Sequence, residues 1–256
     1  MYKNETIGIG IITYNREIAY LKLLNSIKDI NFLDFIVIVK HQDIDYHEND
    51  PINFVNDKIK YFNIKNNLGV ASVKNKAMQE LLNLNCDHIF IIEDDMEVLN
   101  ECIFKEYIDI AKKNGIEHLN FRRTNKPVLC EINDLVFYPN LVAAFQYFTG
   151  KSLKQVGLMD ERYINLLEHV EHTYRFHLLG LTAPKFHVFP DIKNSVKYLK
   201  FEEENESTII QDEKYKMNLI NGFKYFYEKY GIEIKNIQPP TYYELKTFYD
   251  LTKNKI

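Results

Sequence analysis

His88-Ile89-Phe90-Ile91-Ile92-Glu93-Asp94-Asp95-Met96-Glu97 is the stretch from which the rest of the chain can be read. An unbroken apolar run rich in β-branched residues reads as a strand buried on both faces. Such strands belong to parallel sheets covered by helices, and the ligands of those sheets sit outside the carboxyl ends of the strands. This strand ends in three adjacent acids. Carboxylates packed this closely repel one another unless a cation is near. Oxygen-only ligands suit Mg2+ or Mn2+, which take one or two carboxylates together with substrate phosphates. Alternation along an extended segment sends Glu93 and Asp95 to one side and Asp94 to the other. The plainer reading is a solvated acidic turn, and the triplet alone does not choose between the two.

Moving outward, Ile7 to Ile12 is a short β-branched strand followed by the loop Thr13-Tyr14-Asn15-Arg16. Residues 17–30 space Ile18, Leu21, Leu24 and Ile27 as a helix. Phe35 to Val39 and Lys60 to Asn63 read as the second and third strands, and Val70 to Leu84 as a helix with Val73, Ala77, Leu81 and Leu84 on one face. The β-α-β-α rhythm predicts an α/β fold, a mainly parallel sheet flanked by helices. Loops 13–16, 40–45, 63–69 and 93–97 then share the ligand-binding edge. Beyond residue 100 the pattern is less regular. Two or three strands are expected over 117–138, a helix from Glu168 to Leu179 closed by Gly180, and a strand from Lys185 to Phe189 closed by Pro190. A long helix over 208–230 ends at Gly231, and a last aromatic helix spans Tyr242 to Leu251. The expected organisation is a catalytic domain over 1–205 and a helical C-terminal extension over 206–256 packed on it.

The bulk composition narrows the function classes. With 256 residues, 46% apolar, 18 Tyr and 17 Phe, the chain has ample material for one core. A net charge of −4 gives no basic surplus for nucleic acid. Cys86, Cys102 and Cys130 lack CxxC spacing and read as reduced thiols. Residues 1–5 have no apolar signal core, and no run approaches the roughly 18 residues of a spanning helix. A soluble cytoplasmic enzyme or binding domain is expected, with peripheral contact at the inner face of the membrane as the alternative.

Two further segments carry candidate chemistry. In Asn66-Asn67-Leu68-Gly69-Val70-Ala71-Ser72-Val73-Lys74-Asn75-Lys76 a glycine precedes a helix N-terminus, where free N–H groups favour anions, and Lys74 lies one turn inside. The alternative is an ordinary loop-to-helix junction. Gly157 to Tyr163 is followed by Glu168-His169-Val170-Glu171-His172, two Glu–His pairs opening a helix. Glu168 and Glu171 share a face, so a general base there is one reading and a capped polar face the other.

Taken in order, these segments resemble family 2 glycosyltransferases of the GT-A (Rossmann-like) fold. That family runs through a TYNR-type loop, an N-x-G-x5-N segment, a D-x-D motif, then a DE…ED segment ahead of a helix ending in Gly. The same order runs here from Ile7 to Gly180. The resemblance implies an inverting, metal-dependent hexosyl- or N-acetylhexosaminyltransferase. Its donor would be a nucleotide-sugar, expected to be a UDP-sugar, and its acceptor a glycan or lipid-linked glycan, as in bacterial surface polysaccharide synthesis. Thr13, Tyr14 and Arg16 would line the nucleotide pocket, with Asp43 nearest to the position of a uracil-contacting acid. Asn67, Gly69 and Lys74 would flank ribose and diphosphate. Glu93 and Asp94 would lie on the donor, and Asp95 would hold Mn2+ or Mg2+ with His187 as a second ligand. Glu168-His169 stands where the family has Glu-Asp, so Glu168 (favoured here), His169 or Glu171 would be the base. The sequence leaves a catalytically silent glycan- or nucleotide-binding module as the alternative. A sugar-1-phosphate nucleotidyltransferase is disfavoured, because the Gly-rich phosphate loop after the first strand is missing.

Overall fold

The computed structural model describes residues 2–42, 57–65, 68–122, 128–139, 143–183, 188–201, 213–234 and 241–253. Its elements are, in chain order, β1 (Ile7–Tyr14), α1 (Glu17–Ile27), β2 (Phe35–Gln42), β3 (Ile59–Lys65), α2 (Val70–Asn83), β4 (His88–Glu93), β5 (Met96–Val98), α3 (Cys102–Asn114), β6 (His118–Asn120), β7 (Cys130–Ile132), β8 (Leu135–Tyr138), β9 (Phe145–Thr149), α4 (Gly150–Val156), α5 (Glu168–Leu178), β10 (Phe189–Ile192), α6 (Ser195–Tyr198), β11 (Leu199–Phe201), α7 (Tyr215–Tyr230) and α8 (Tyr242–Lys253).

A six-stranded sheet in the order β3-β2-β1-β4-β9-β6 forms the centre. β3, β2, β1 and β4 run parallel, and β9 is antiparallel to both β4 and β6. This is the α/β architecture expected from the strand–helix rhythm, a mainly parallel sheet with helices on both faces. The register brings the strand ends level: Thr13 lies beside Lys40, Tyr14 beside His41, and Ile12 beside Glu93.

The alternation within β1 explains how the helices sit. Ile7, Ile9 and Ile11 enter the core cluster that also holds α1 and α3 residues such as Leu24, Phe104 and Tyr107. Gly8 and Gly10 face α2. A Cβ on Gly8 would lie 2.5 Å from Leu81 Cδ2, and one on Gly10 would lie 2.8 Å from Ala77 Cβ. Two missing side chains let α2 lie directly on the strand, and one turn before Ala77 that close approach carries Lys74 to the strand ends.

Smaller sheets, β10-β8-β7 and β11-β5, complete the second half. Several features there differ from expectation. The strand expected to stop at Pro190 runs from Phe189 through Pro190 to Ile192. It is an edge strand paired with β8, a position where a missing N–H is tolerated. Residues 185–187 of the expected strand, and 208–212 of the long helix, lie outside the described residues. α3 is an amphipathic helix that the reading of the sequence passed over, although Ile103, Phe104, Tyr107, Ile108 and Ala111 carry its buried stripe and Gly115 ends it with φ 61°. α7 packs on the rest through Phe226, whose ring meets Tyr174 in a cluster that also holds Tyr163, Val170 and Ile234. Among the described residues no helix is long and apolar enough to cross a membrane, and all three cysteines are free thiols.

Candidate active site

At the end of β4, Asp94 and Glu93 each face a cationic side chain. Asp94 is buried and turned into the loop after β1. Its Oδ2 accepts from Thr13 Oγ1 at 2.7 Å, and its Oδ1 from Arg16 Nη1 at 2.9 Å. Burial pushes the Asp94 carboxyl up to about 6, against the pull of Arg16, Thr13 and the Tyr14 N–H. Asp94 therefore shapes the Thr13–Arg16 loop. Glu93 is half-buried and lies 2.6 Å from Lys74 Nζ. Asp95 is half-buried in the turn that follows. Arg16 and Lys74 thus offset part of the repulsion among these carboxylates.

Lys74 is fully buried. A lysine is found so deep only when it is paired. Its ammonium also donates to the Ala143 carbonyl at 3.3 Å and lies 3.9 Å from Glu168 Oε1. Lys74, expected beside a diphosphate, links two acidic elements.

Glu168 opens α5 and is itself 2% exposed. His169 Nδ1 and Glu168 Oε1 are 2.8 Å apart. Burial alone would raise this carboxyl, but His169 and then Lys74 outweigh it and bring it down to about 2. Glu168 Oε2 has no hydrogen-bond partner among the described residues. Glu171, one turn on, belongs to a different network. It is fully buried and held by Arg175 Nε at 3.1 Å, Lys229 Nζ at 2.8 Å and Tyr230 Oη at 2.5 Å. It joins α5 to α7 and is not among the groups that Lys74 gathers. His172 is also buried and meets the Gly157 carbonyl at 2.8 Å, and its surroundings hold its pKa well below the usual histidine value, burial being the main cause.

The α2 start is occupied in part. Gly69 has φ 89°, a conformation that suits glycine, and Val70 N–H donates to Asn165 Oδ1 at 3.0 Å. Asn75 makes a two-way link with the Met159 backbone and donates to Glu161 at 2.9 Å, tying α2 to the loop before α5. Leu167, the N-cap of α5, has φ 66° and ψ 0°. A left-handed leucine costs roughly 1–2 kcal/mol and persists only where its surroundings enforce it.

Three groups at this edge were not singled out from the sequence. Lys40, nearly buried, pairs with Glu17 at 2.8 Å. His41 Nε2 accepts from Leu68 N–H at 3.0 Å and its ring meets the edge of Tyr14. Asn165 caps α2. The place of Lys40 and His41 was a usable signal, since both open loop 40–45, expected at the ligand-binding edge. Asp43, Asn67 and His187 lie outside the described residues.

Among the described residues no group of three or more His, Cys, Asp or Glu side chains gathers to hold a metal. The donor set at the strand end is oxygen only. One carboxylate, Asp95, fits Mg2+ or Mn2+ completing its shell with phosphate and water. It does not fit an ion caged by protein alone.

No family model matches the sequence, and no curated protein matches it. Solved structures do. The chain is similar to GalNAc-T7 in complex with UDP, GalNAc and Mn2+, with a TM-score of 0.59 and 12% identity over 98% of this chain and 55% of that one. It is also similar to S. aureus TarS 1–349 in complex with UDP-GlcNAc, with a TM-score of 0.52 and 14% identity over 90% and 74%. The chain thus spans about half the length of the GalNAc-T7 chain. At these identities the likeness is one of fold, and that fold is GT-A.

Proposed function

We propose that this chain is a metal-dependent glycosyltransferase that moves a sugar from a UDP-sugar to a hydroxyl of a glycan or lipid-linked glycan. One observation carries the reading. The buried ammonium of Lys74 sits 2.6 Å from Glu93 and 3.9 Å from Glu168, so the acidic strand end and the Glu168–His169 pair border one site. Glycosyl transfer needs a place for a diphosphate leaving group and a base for the acceptor within reach of each other. The choice of uridine nucleotide follows the ligands of the GalNAc-T7 and TarS structures and is an analogy of fold.

In this reading Thr13, Tyr14 and Arg16 form the nucleotide side, with Asp94 fixing their loop. Asp95 would hold Mn2+ or Mg2+ against the donor diphosphate. The bound ion would offset the charge that develops on the leaving nucleoside diphosphate. The sequence favours Glu168 as base. Its carboxyl is buried and engaged by His169, so we assign the proton to His169. With Nδ1 turned to Glu168, the lone pair of His169 is on Nε2, and Glu168 fixes the tautomer. Attack by the acceptor hydroxyl then inverts the anomeric carbon. We read residues 1–205 as the catalytic domain and 206–256 as its helical extension, in an enzyme of family 2 type serving surface polysaccharide synthesis, cytoplasmic or peripheral at the inner membrane face.

The test is UDP release from a panel of UDP-sugars with and without Mn2+. Transfer predicts Mn2+-dependent release. A silent binding module would bind UDP and release none, and that outcome would overturn the reading. The anomeric configuration of the product, read by NMR, decides inversion.

A further inference from the structure

Residues 164–167 form a short strap between three elements. At one end Asn165 Oδ1 accepts the first N–H of α2 at 3.0 Å. At the other, Leu167 caps α5, its carbonyl accepting from Glu171 N–H at 2.9 Å. Asn165 and Leu167 both have left-handed backbone, φ 61° and 66°. Asparagine adopts that conformation readily; leucine does so under constraint. The conformation of Leu167 sets the direction in which Glu168 and His169 leave the helix start.

α7 supplies the constraint. Gly222 lies in the middle of this helix and is buried. Mid-helix glycine is unfavourable unless something needs the space. Here a Cβ would lie 3.0 Å from Leu167 Cδ1 and 3.6 Å from both Leu167 Cβ and the Leu166 carbonyl. The same helix is fixed to α5 further along, where Lys229 and Tyr230 close on Glu171 and the Phe226 and Tyr230 rings pack on Tyr174.

We infer that α7 is the positioning element of the Glu168–His169 pair, with Gly222 seating Leu167 so that the left-handed turn holds His169 at the site. Gly222 and Leu167 are positioning residues that act through Glu168 and His169. The kinetic consequence rests on the transfer reading above; the geometric one does not.

The experiment compares Gly222→Val, the milder Gly222→Ala, Leu167→Ala and the double variant Gly222→Ala/Leu167→Ala in the full chain. Three quantities are read: kcat for sugar transfer, affinity for UDP with Mn2+, and the imidazole nitrogen resonances of His169, assigned with His169→Gln. Gly222→Val is expected to lower kcat by about tenfold or more through misplacement of the base, with UDP affinity within about twofold. The His169 resonances are expected to move with it. In the double variant Leu167 Cδ1 is gone, and kcat and the resonances are expected to match Leu167→Ala alone. Unmoved His169 resonances in both Gly222 variants overturn the inference. So does a loss of UDP affinity in step with kcat, which would mark general damage. Absence of any turnover in the unaltered chain would sink the transfer reading alone, because the resonances still decide the positioning.

Discussion

Two acidic turns meet at Lys74, and they are held in different ways. Glu93-Asp94-Asp95 ends a central strand, and its partners Thr13 and Arg16 follow the neighbouring strand β1. The sheet register places them. Glu168 and Glu171 open a helix whose first turn depends on a left-handed leucine and on Lys229 and Tyr230, about sixty residues further along the chain. The first turn is thus built by the sheet, and the second is held in place by α7. Perturbing the strand end should disturb chemistry and leave the fold intact. Perturbing the second turn or the link between the two should disturb both.

The largest effect is expected at Asp95. Asp95→Ala should lower Mn2+-dependent turnover by about 10³-fold, roughly 4 kcal/mol in the barrier, with an unchanged circular dichroism spectrum. Near-normal turnover would remove the metal assignment. Next is the link itself. Lys74→Met leaves Glu93 and the buried Glu168 without the ammonium they share and should cost about 3 kcal/mol of stability, read as a lower urea midpoint. An unchanged midpoint would mean that the two turns are independent. At the second turn, His169→Ala should lower kcat by about 100-fold, and Glu168→Gln, which disturbs the orientation of the imidazole and removes the charge facing Lys74, by about tenfold. The reverse order would return the proton to Glu168.

The smallest effect is one of pH behind α5. His118 is buried between Thr173 and the Tyr147 carbonyl, and burial holds it at about 3. Unfolded, it takes up a proton below about 6.5. Between these values the unfolded state binds the proton and the folded state does not, so stability falls as pH falls, by about 1.4 kcal/mol at pH 5.5. Asp191, pushed up to about 6 by burial, works in the opposite sense below that pH. The comparison is therefore the difference between the unaltered chain and His118→Gln. Equal acid dependence in the two would contradict a neutral buried His118.

How much of this was legible in the sequence follows the same division. β1, β2, β4 and α2 announce themselves because a buried parallel strand is an uninterrupted apolar run and its helix repeats at 3.6 residues. The level strand ends follow from the fold class. The pairing of Asp94 with Thr13 and Arg16 is a side-chain contact across about eighty residues, and no spacing in the sequence encodes it. Lys74 read as a lysine that could reach a phosphate, because nothing local shows that Gly8 and Gly10 draw its helix inward until it is buried. Glu171 looked equivalent to Glu168 because both lie on the first turn of one helix. Only the packing of α7 separates them. α3 was legible and overlooked: its apolar stripe and terminal glycine are ordinary signals.

The bare positions in β1 have a consequence for how this protein can change over generations. Gly8 and Gly10 carry no charge and are not among the site residues, yet even a methyl group at either meets α2 at under 3 Å. At Gly10 the shift needed to clear Ala77 would move the helix that carries Lys74. Gly10 is the stricter of the two, because its neighbour is the Ala77 Cβ at 2.8 Å, fixed to the helix itself, whereas Gly8 faces the movable ends of Leu81 and Cys86. The placement of the buried ammonium is therefore inherited through two residues that have no side chain at all.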